Sequence, residues 1–128
     1  TLLKRHPDMR VVIDHCMKPR IAEGAFDDWA KGMAALARDT HAYCKLSGLI
    51  TEARADWSVD QLRPYTDHVL ACFGPERVMW GSDWPVCRLR GEYGAWFEAA
   101  QTLTADLSTD DRARIFGGTA TEAYCLNA

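Results

Sequence analysis

The chain has 128 residues, of which 48% are apolar and 26% are charged, the proportions of a soluble globular domain. No apolar run approaches the roughly 20 residues that a membrane span needs, and no apolar secretory segment follows the first residues. The formal charge is −3 and the basic residues are scattered, which argues against nucleic acid as the main partner.

The cysteines indicate the compartment. Their number is odd and no pair has C-x-x-C spacing, so neither a disulfide scaffold nor a structural zinc site is expected. They are interpreted as reduced thiols in a cytoplasmic protein. The five are Cys16, Cys44, Cys72, Cys87 and Cys125.

The first residues are typical of the end of a helix. Leu2 and Leu3 are followed by three basic or imidazole side chains, which are favourable near a helix C-terminus, and Pro7 then ends the helix. The chain has no initiator methionine. We therefore expect a piece of something longer.

Three apolar runs predict strands, at residues 9–15, 42–49 and 77–83. Apolar residues at helical spacing predict helices between these strands and after the last one. Ser58 opens one with an S-x-x-Q capping box, and Ser108 caps another that is expected to end at Gly117–Gly118. The predicted helices cover residues 26–39, 59–73, 92–103, 109–116 and 120–126.

This alternation predicts an α/β fold with parallel strands and helices outside. Polar groups follow each strand, at Asp14-His15, Ser47-Gly48 and Ser82-Asp83-Trp84. Because parallel strands end on the same edge of a sheet, these groups are expected to meet at one rim. That rim is where α/β enzymes place their active sites.

Two residues at this rim are the leading candidates. Asp83 is interpreted as a metal ligand or as a base that deprotonates water, and the alternative is a carboxylate that satisfies loop N–H groups. His15 could bind a metal, polarise a carbonyl or carry a proton, and the alternative is a hydrogen-bonded histidine that closes a strand. The other histidines are expected to be solvated, and they are His6, His41 and His68.

Lys45 and Trp84 are further candidates. Lys45 lies within a strand, where it either pairs with an anion on an inward face or extends between helices to water. Trp84 follows Asp83 and could stack on the flat face of a sugar-like substrate. Trp80 is expected in the core. The remaining tryptophans are expected to pack helices or anchor loops, and they are Trp29, Trp57 and Trp96.

Four segments carry a resemblance to a known family. They are "VVIDHCMKP", "YCKLSGLITEA", "DQLRPYTDHVLACFGPERVMWGSDWPVC" and "IFGGTATEAYCL". With these segments in the same order, the sequence resembles the amidohydrolase-related (amidohydrolase 2) proteins. The resemblance covers nearly the whole chain. It looks most like their L-fuconolactonase and L-rhamnonolactonase-like branch.

The resemblance implies a fold and a set of roles. The fold would be a (β/α)8 TIM barrel, and residues 1–128 would form one partial domain holding its sixth to eighth strands without the N-terminal strands. His15 and Asp83 would be catalytic residues and ligands of a divalent metal, zinc or manganese. Trp84 and Lys45 would bind the substrate. The family's H-x-H motif is absent from these residues, so the chain alone would carry two of the expected ligands.

The expected function is hydrolysis of a small molecule, a sugar-acid lactone, with Asp83 as the base. We expect little turnover from the chain alone. The alternative is a non-catalytic half-barrel that associates with a second copy or with a separate N-terminal half, since three parallel strands leave open edges. A different hydrolysis or a decarboxylation on the same fold stays open at this point.

Overall fold

The computed structural model describes residues 2–126 of the chain. Its sheet has three strands, β1 (Val12–Ile13), β2 (Tyr43–Leu46) and β3 (Val78–Trp80), in the order β1-β2-β3. Both neighbouring pairs are parallel, with Ile13 beside Cys44 and Leu46 beside Trp80. The parallel sheet predicted from the alternation of elements is confirmed.

Helices connect the strands and complete the chain. The two predicted serine caps are present, because Ser58 Oγ accepts the Gln61 N–H and Ser108 Oγ accepts the Asp111 N–H. Within the described part of the chain, no helix is long and apolar enough to cross a membrane. The α-helices are α1 (Leu2–Arg5), α2 (Asp27–Asp39), α3 (Leu49–Glu52), α4 (Val59–Phe73), α5 (Tyr93–Leu103), α6 (Thr109–Ala113) and α7 (Thr119–Ala123).

The strands are shorter than the apolar runs that predicted them. β1 has two residues because the backbone turns left-handed at His15, where φ is 49°. β2 ends before Gly48, where φ is 68°. A left-handed residue cannot continue an extended strand. The polar residues after each strand therefore lie in turns at the rim.

The end predicted at Gly117–Gly118 is wrong. The backbone passes from α6 through one π-helical turn, Arg114–Gly118, directly into α7. Glycine weakens a helix interior by only about 1 kcal/mol, so packing can override it. Ile115 is fully buried there, and Thr119 Oγ1 donates to the Pro75 carbonyl at 2.7 Å.

The sheet has two unlike faces. We call the face that carries Ile13, Cys44 and Leu46 the outer face, and it is buried against the helices. The opposite face, which carries Tyr43 and Lys45, we call the inner face. Large side chains fill the core behind the outer face, among them Leu49, Ile50, Leu62, Val69 and Trp96.

Candidate active site

The rim brings polar groups from all three strands together around one imidazole. His15 Nδ1 lies 2.7 Å from Ser47 Oγ. Its other nitrogen, Nε2, lies 3.3 Å from Asp14 Oδ2 and 3.5 Å from Asp83 Oδ1. The expected meeting of the three strand ends is therefore present in the structure. Both ring nitrogens have polar partners, which fixes the orientation of the imidazole.

The backbone that presents His15 is strained. Four consecutive residues, 15–18, have φ values between 49° and 61°, although none is glycine. The left-handed conformation costs roughly 1–2 kcal/mol per residue, and such strain persists where surrounding contacts enforce it. One contact is the Trp29 indole, which donates to the Cys16 carbonyl at 2.8 Å. This confirms the anchoring role predicted for Trp29.

Gly48 allows His15 to approach β2. A Cβ at position 48 would lie 2.9 Å from His15 Cγ, and the φ of Gly48 is 68°. Both the space and the conformation require a residue without a side chain. α3 begins immediately after it and is fixed by Leu49 and Ile50, whose side chains are fully buried.

Asp83 sits in a second anchored turn. Its φ is 54°, and its carbonyl accepts the Cys87 N–H at 2.9 Å. The Trp96 indole donates to the Gly81 carbonyl at 2.9 Å, so α5 holds the backbone just before Asp83. The Asp83 side chain is only 15% exposed. The carboxylate is therefore partly desolvated.

Lys45 lies on the inner face and pairs with a carboxylate there. Its Nζ is 3.1 Å from Asp14 Oδ1. Burial acts to lower the pKa of Lys45, but the hydrogen bond to Asp14 and neighbouring interactions outweigh it, so the pKa is raised. Of the two orientations considered for Lys45, the inward one is present, and the residue supports His15 through Asp14.

A small cleft of about 190 Å³ opens beside the imidazole. The side chain of Trp84 is 62% exposed and is not part of the cleft wall, so its stacking role stays a prediction. The cleft is lined by His15, Lys18, Gly48, Thr51, Glu52, Asp83 and Val86.

Several of the residues around the imidazole and the cleft carry no individual role in the sequence analysis. Asp14 and Ser47 were visible as polar residues after strands, and their distance from His15 is what gives them a role. Thr51 and Glu52 belong to α3, which has only four residues. A helix of one turn leaves no periodic pattern in a sequence, so no signal indicated them.

The expected metal site is incomplete among the described residues. Among residues 2–126 no group of three His, Cys, Asp or Glu side chains is placed to hold an ion. His15 and Asp83 supply one imidazole and one carboxylate, whereas catalytic zinc usually has three protein ligands. Asp14 is the nearest third carboxylate, but it already pairs with Lys45. The described residues therefore do not fit a metal by themselves.

Packing contacts test the predictions made for Trp80 and for the three remaining histidines. Trp80 packs edge-to-face on Phe97, with ring centroids 5.4 Å apart, as expected of a core residue. The prediction that His68 is solvated is wrong, because its Nε2 lies 2.8 Å from the Ala30 carbonyl and its ring contacts Phe26. His6 and His41 are exposed.

Comparison with protein families identifies the class. The model of the amidohydrolase family (Amidohydro_2) matches residues 1–126. The chain belongs to this family.

Individual relatives refine the comparison. The L-fucono-1,5-lactonase of Burkholderia ambifaria is 45% identical over 97% of this chain and 44% of its own length. The L-rhamnono-gamma-lactonase of Scheffersomyces stipitis is 27% identical over 96% of the chain and 43% of its own length. An amidohydrolase from Burkholderia multivorans, solved with bound zinc, superposes with a TM-score of 0.88 at 38% identity, covering 98% of this chain and 47% of that one. The chain thus spans about half the length of these relatives.

Proposed function

We propose that this chain provides the water-activating part of a lactonase active site. The observation that carries the proposal is the pairing of a partly buried Asp83 carboxylate with His15 Nε2 at 3.5 Å, at the rim of a parallel sheet. The named relatives that open sugar-acid lactones support the substrate class.

The chemistry follows from these two side chains. Asp83 takes a proton from water, and the hydroxide oxygen bonds to the ester carbonyl carbon of the lactone. His15 Nε2 faces the same cleft and donates a hydrogen bond to the carbonyl oxygen as negative charge develops there. The ring C–O bond then breaks, and the leaving oxygen takes the proton back from Asp83, which gives a hydroxy acid and restores the carboxylate.

We further propose that β1, β2 and β3 are the sixth to eighth strands of a (β/α)8 barrel, forming a single partial domain. Two facts support this: the strands are parallel and in chain order across the sheet, and an amidohydrolase about twice as long superposes on the chain. The missing strands would supply the remaining groups of the site, which is why the isolated chain is expected to turn over little lactone.

A chimera tests this proposal. Residues 1–126 would replace the matching segment of the B. ambifaria lactonase, and the isolated chain would be assayed beside it. Ring opening of a panel of sugar lactones is followed by proton release. We expect hydrolysis by the chimera and almost none by the isolated chain. A chimera that folds, as judged by circular dichroism and cooperative unfolding, but opens no lactone and instead cleaves amides or decarboxylates aromatic acids would contradict it.

A second candidate is a non-catalytic half-barrel that must associate. Within residues 2–126, β1 and β3 each pair with β2 alone, so each leaves one edge without a strand. An apolar groove runs along the free edge of β1 and is lined in part by Leu3, Val12 and Leu36. Open edges and apolar grooves favour pairing with another chain.

The state of association decides between these candidates. The half-barrel proposal predicts a dimer, or a stable complex with a separately expressed N-terminal half of the lactonase. Sedimentation equilibrium measures both. A Val12→Lys variant, which places a charge at the groove, should weaken association, whereas Lys31 on the exposed surface of α2 provides the control Lys31→Glu. A well-folded monomer that binds no N-terminal half would contradict the half-barrel.

A further inference from the structure

We propose that Trp57 and Arg90 form a clasp that fixes the spacing of two rim loops and thereby positions Asp83 relative to His15. The two loops follow β2 and β3, and residues from both line the cleft. A positioning residue acts on the reacting groups through its neighbours and does not touch the substrate. The inference rests on the proposed lactonase function, and it adds what holds the base at a set distance from the imidazole.

The clasp consists of two hydrogen bonds that run in opposite directions between the loops. The Trp57 indole Nε1 donates to the Arg90 carbonyl at 2.8 Å. Arg90 Nε donates in return to the Ala53 carbonyl at 3.5 Å, which is at the long limit for a hydrogen bond. Gly91 lies beside the indole, since a Cβ built there would be 3.6 Å from Trp57 Cζ2. The shorter bond therefore depends on the indole N–H, and the guanidinium adds the weaker one.

The loop after β3 is connected internally from Asp83 to the clasp. The Cys87 N–H donates to the Asp83 carbonyl at 2.9 Å. The Cys87 carbonyl in turn accepts the N–H groups of Arg90 and Gly91, at 3.0 and 3.1 Å. The Cys87 side chain is buried in the core, so the middle of the loop has little freedom. A displacement of Arg90 is therefore transmitted to Asp83 through consecutive hydrogen bonds.

The loop after β2 is the fixed side of the clasp. Ile50 and Ala53, in and just after α3, are both buried. Trp57 is partly buried against the same core, and it directly precedes Ser58, which caps α4. The clasp therefore ties the loop after β3 to a segment that the core and a helix cap hold in place.

Two other indoles show what distinguishes this one. Trp29 of α2 donates to the Cys16 carbonyl at 2.8 Å, and Trp96 of α5 donates to the Gly81 carbonyl at 2.9 Å. Each of these bonds attaches a single rim turn to a helix. The bond from Trp57 instead joins two rim loops to each other, so it acts on the spacing between them.

The spacing of these loops bears on the catalytic pair, because His15 is held on the β2 side. Its Nδ1 lies 2.7 Å from Ser47 Oγ, and its ring lies against Gly48. Asp83 belongs to the loop after β3. The 3.5 Å between Asp83 Oδ1 and His15 Nε2 therefore spans the same two loops that the clasp joins. A misplacement of about 1 Å between reacting groups can cost about 100-fold in rate.

Two identical substitutions test the clasp in the isolated full chain, without requiring turnover. Trp57→Phe and Trp29→Phe each keep an aromatic ring and remove one indole N–H. Amide hydrogen exchange, followed by NMR, measures how often each turn opens. We expect Trp57→Phe to speed exchange at Arg90 and Gly91 about 2- to 12-fold, as the loss of one hydrogen bond implies. Trp29→Phe should instead speed exchange at Lys18, whose N–H donates to the His15 carbonyl at 2.8 Å.

The lactonase chimera supplies a readout that a purely structural role would not move. Trp57→Phe should lower kcat about 3- to 100-fold and change KM less than about 2-fold, because it misplaces the base without removing a substrate contact. Arg90→Met removes the weaker bond and should lower kcat at most about 3-fold. Arg88 lies in the same loop, is exposed and pairs with Glu92 at 3.7 Å, so Arg88→Met is the matched control and should leave kcat unchanged.

The outcomes separate the clasp from the reaction. Unchanged exchange at Arg90 and Gly91 in Trp57→Phe would overturn the clasp, and so would faster exchange throughout the chain, which would show general loosening. An active chimera whose kcat is unchanged in Trp57→Phe, or equally lowered in Arg88→Met, would also overturn it. If the chimera opens no lactone but the two exchange patterns differ as expected, the proposed reaction fails and the clasp stands.

Discussion

The two faces of β2 show how one short strand serves packing and chemistry at once. Cys44 and Leu46 on the outer face are fully buried in the apolar core. Tyr43 and Lys45 on the inner face are only half-buried and pair with Glu122 and Asp14. Alternation along a strand sends successive side chains to opposite faces. The outer face therefore provides stability, and the inner face positions polar groups below the rim.

The inner face is not left fully open. Tyr43 Oη donates to Glu122 of α7 at 3.3 Å, and Arg10 donates to the Ala123 carbonyl at 3.2 Å. Arg114 also pairs with Glu122 at 2.8 Å. The end of the chain thus contacts the inner side of the sheet through polar groups. Such exposed pairs contribute little stability compared with an apolar core, so substitutions on the two faces should differ in their effects.

The largest stability effect is expected on the outer face. Leu46→Ala removes a fully buried side chain from the core and should lower the free energy of unfolding by about 2–5 kcal/mol. Urea denaturation measures it. Leu89, which is 68% exposed, gives the control Leu89→Ala, whose change should stay within about 0.5 kcal/mol. Equal losses of stability in the two variants would contradict the assignment of Leu46 to the apolar core.

The next effect is expected at the rim. Gly48→Ala places a Cβ against the His15 ring at a left-handed position and should destabilise the chain by about 1–3 kcal/mol. The His15 ring resonances should move with it. Gly32 lies inside α2 with open space around it, so Gly32→Ala should instead stabilise by about 0.5–1 kcal/mol. If Gly48→Ala stabilised the chain as Gly32→Ala is expected to, the position of His15 would not depend on Gly48.

A smaller effect is expected for the inner-face ion pair. Because the pKa of Lys45 is raised in the folded chain, its contribution to stability is fully present below the ordinary lysine value of 10.5 and is lost as pH rises through the folded value. Lys45→Met should therefore lower stability by at most about 1 kcal/mol at pH 7. The difference from wild type should shrink above pH 10.5. A difference that grows at alkaline pH would contradict this.

The smallest expected effect concerns how fast the cysteines react with a thiol reagent. Hydrogen bonding with Cys16 and burial raise the pKa of the Cys44 thiol, and neither cysteine is accessible to solvent. Cys125 is exposed. Brief iodoacetamide treatment of the native chain should therefore label Cys125 before the buried thiols, as followed by peptide mass spectrometry. Early labelling of Cys44 without unfolding would show that the outer face opens easily.

These features differ in how well the sequence predicts them. Alternating elements and the polar residues after each strand were enough to predict the parallel sheet and the approach of His15 and Asp83. The left-handed turn at residues 15–18 could not be predicted, because it contains no glycine or asparagine and is held by a distant indole. The helix through Gly117 and Gly118 was missed for a similar reason, since tertiary packing overrides a local preference.

The role of Asp83 is tested most directly by Asp83→Asn in the lactonase chimera. The amide keeps the shape of the side chain but cannot accept a proton from water. The account predicts that kcat falls by about 10²- to 10⁴-fold, while KM for the lactone and the unfolding midpoint change little. A variant that folds normally and keeps the kcat of the parent chimera would show that Asp83 is not the base.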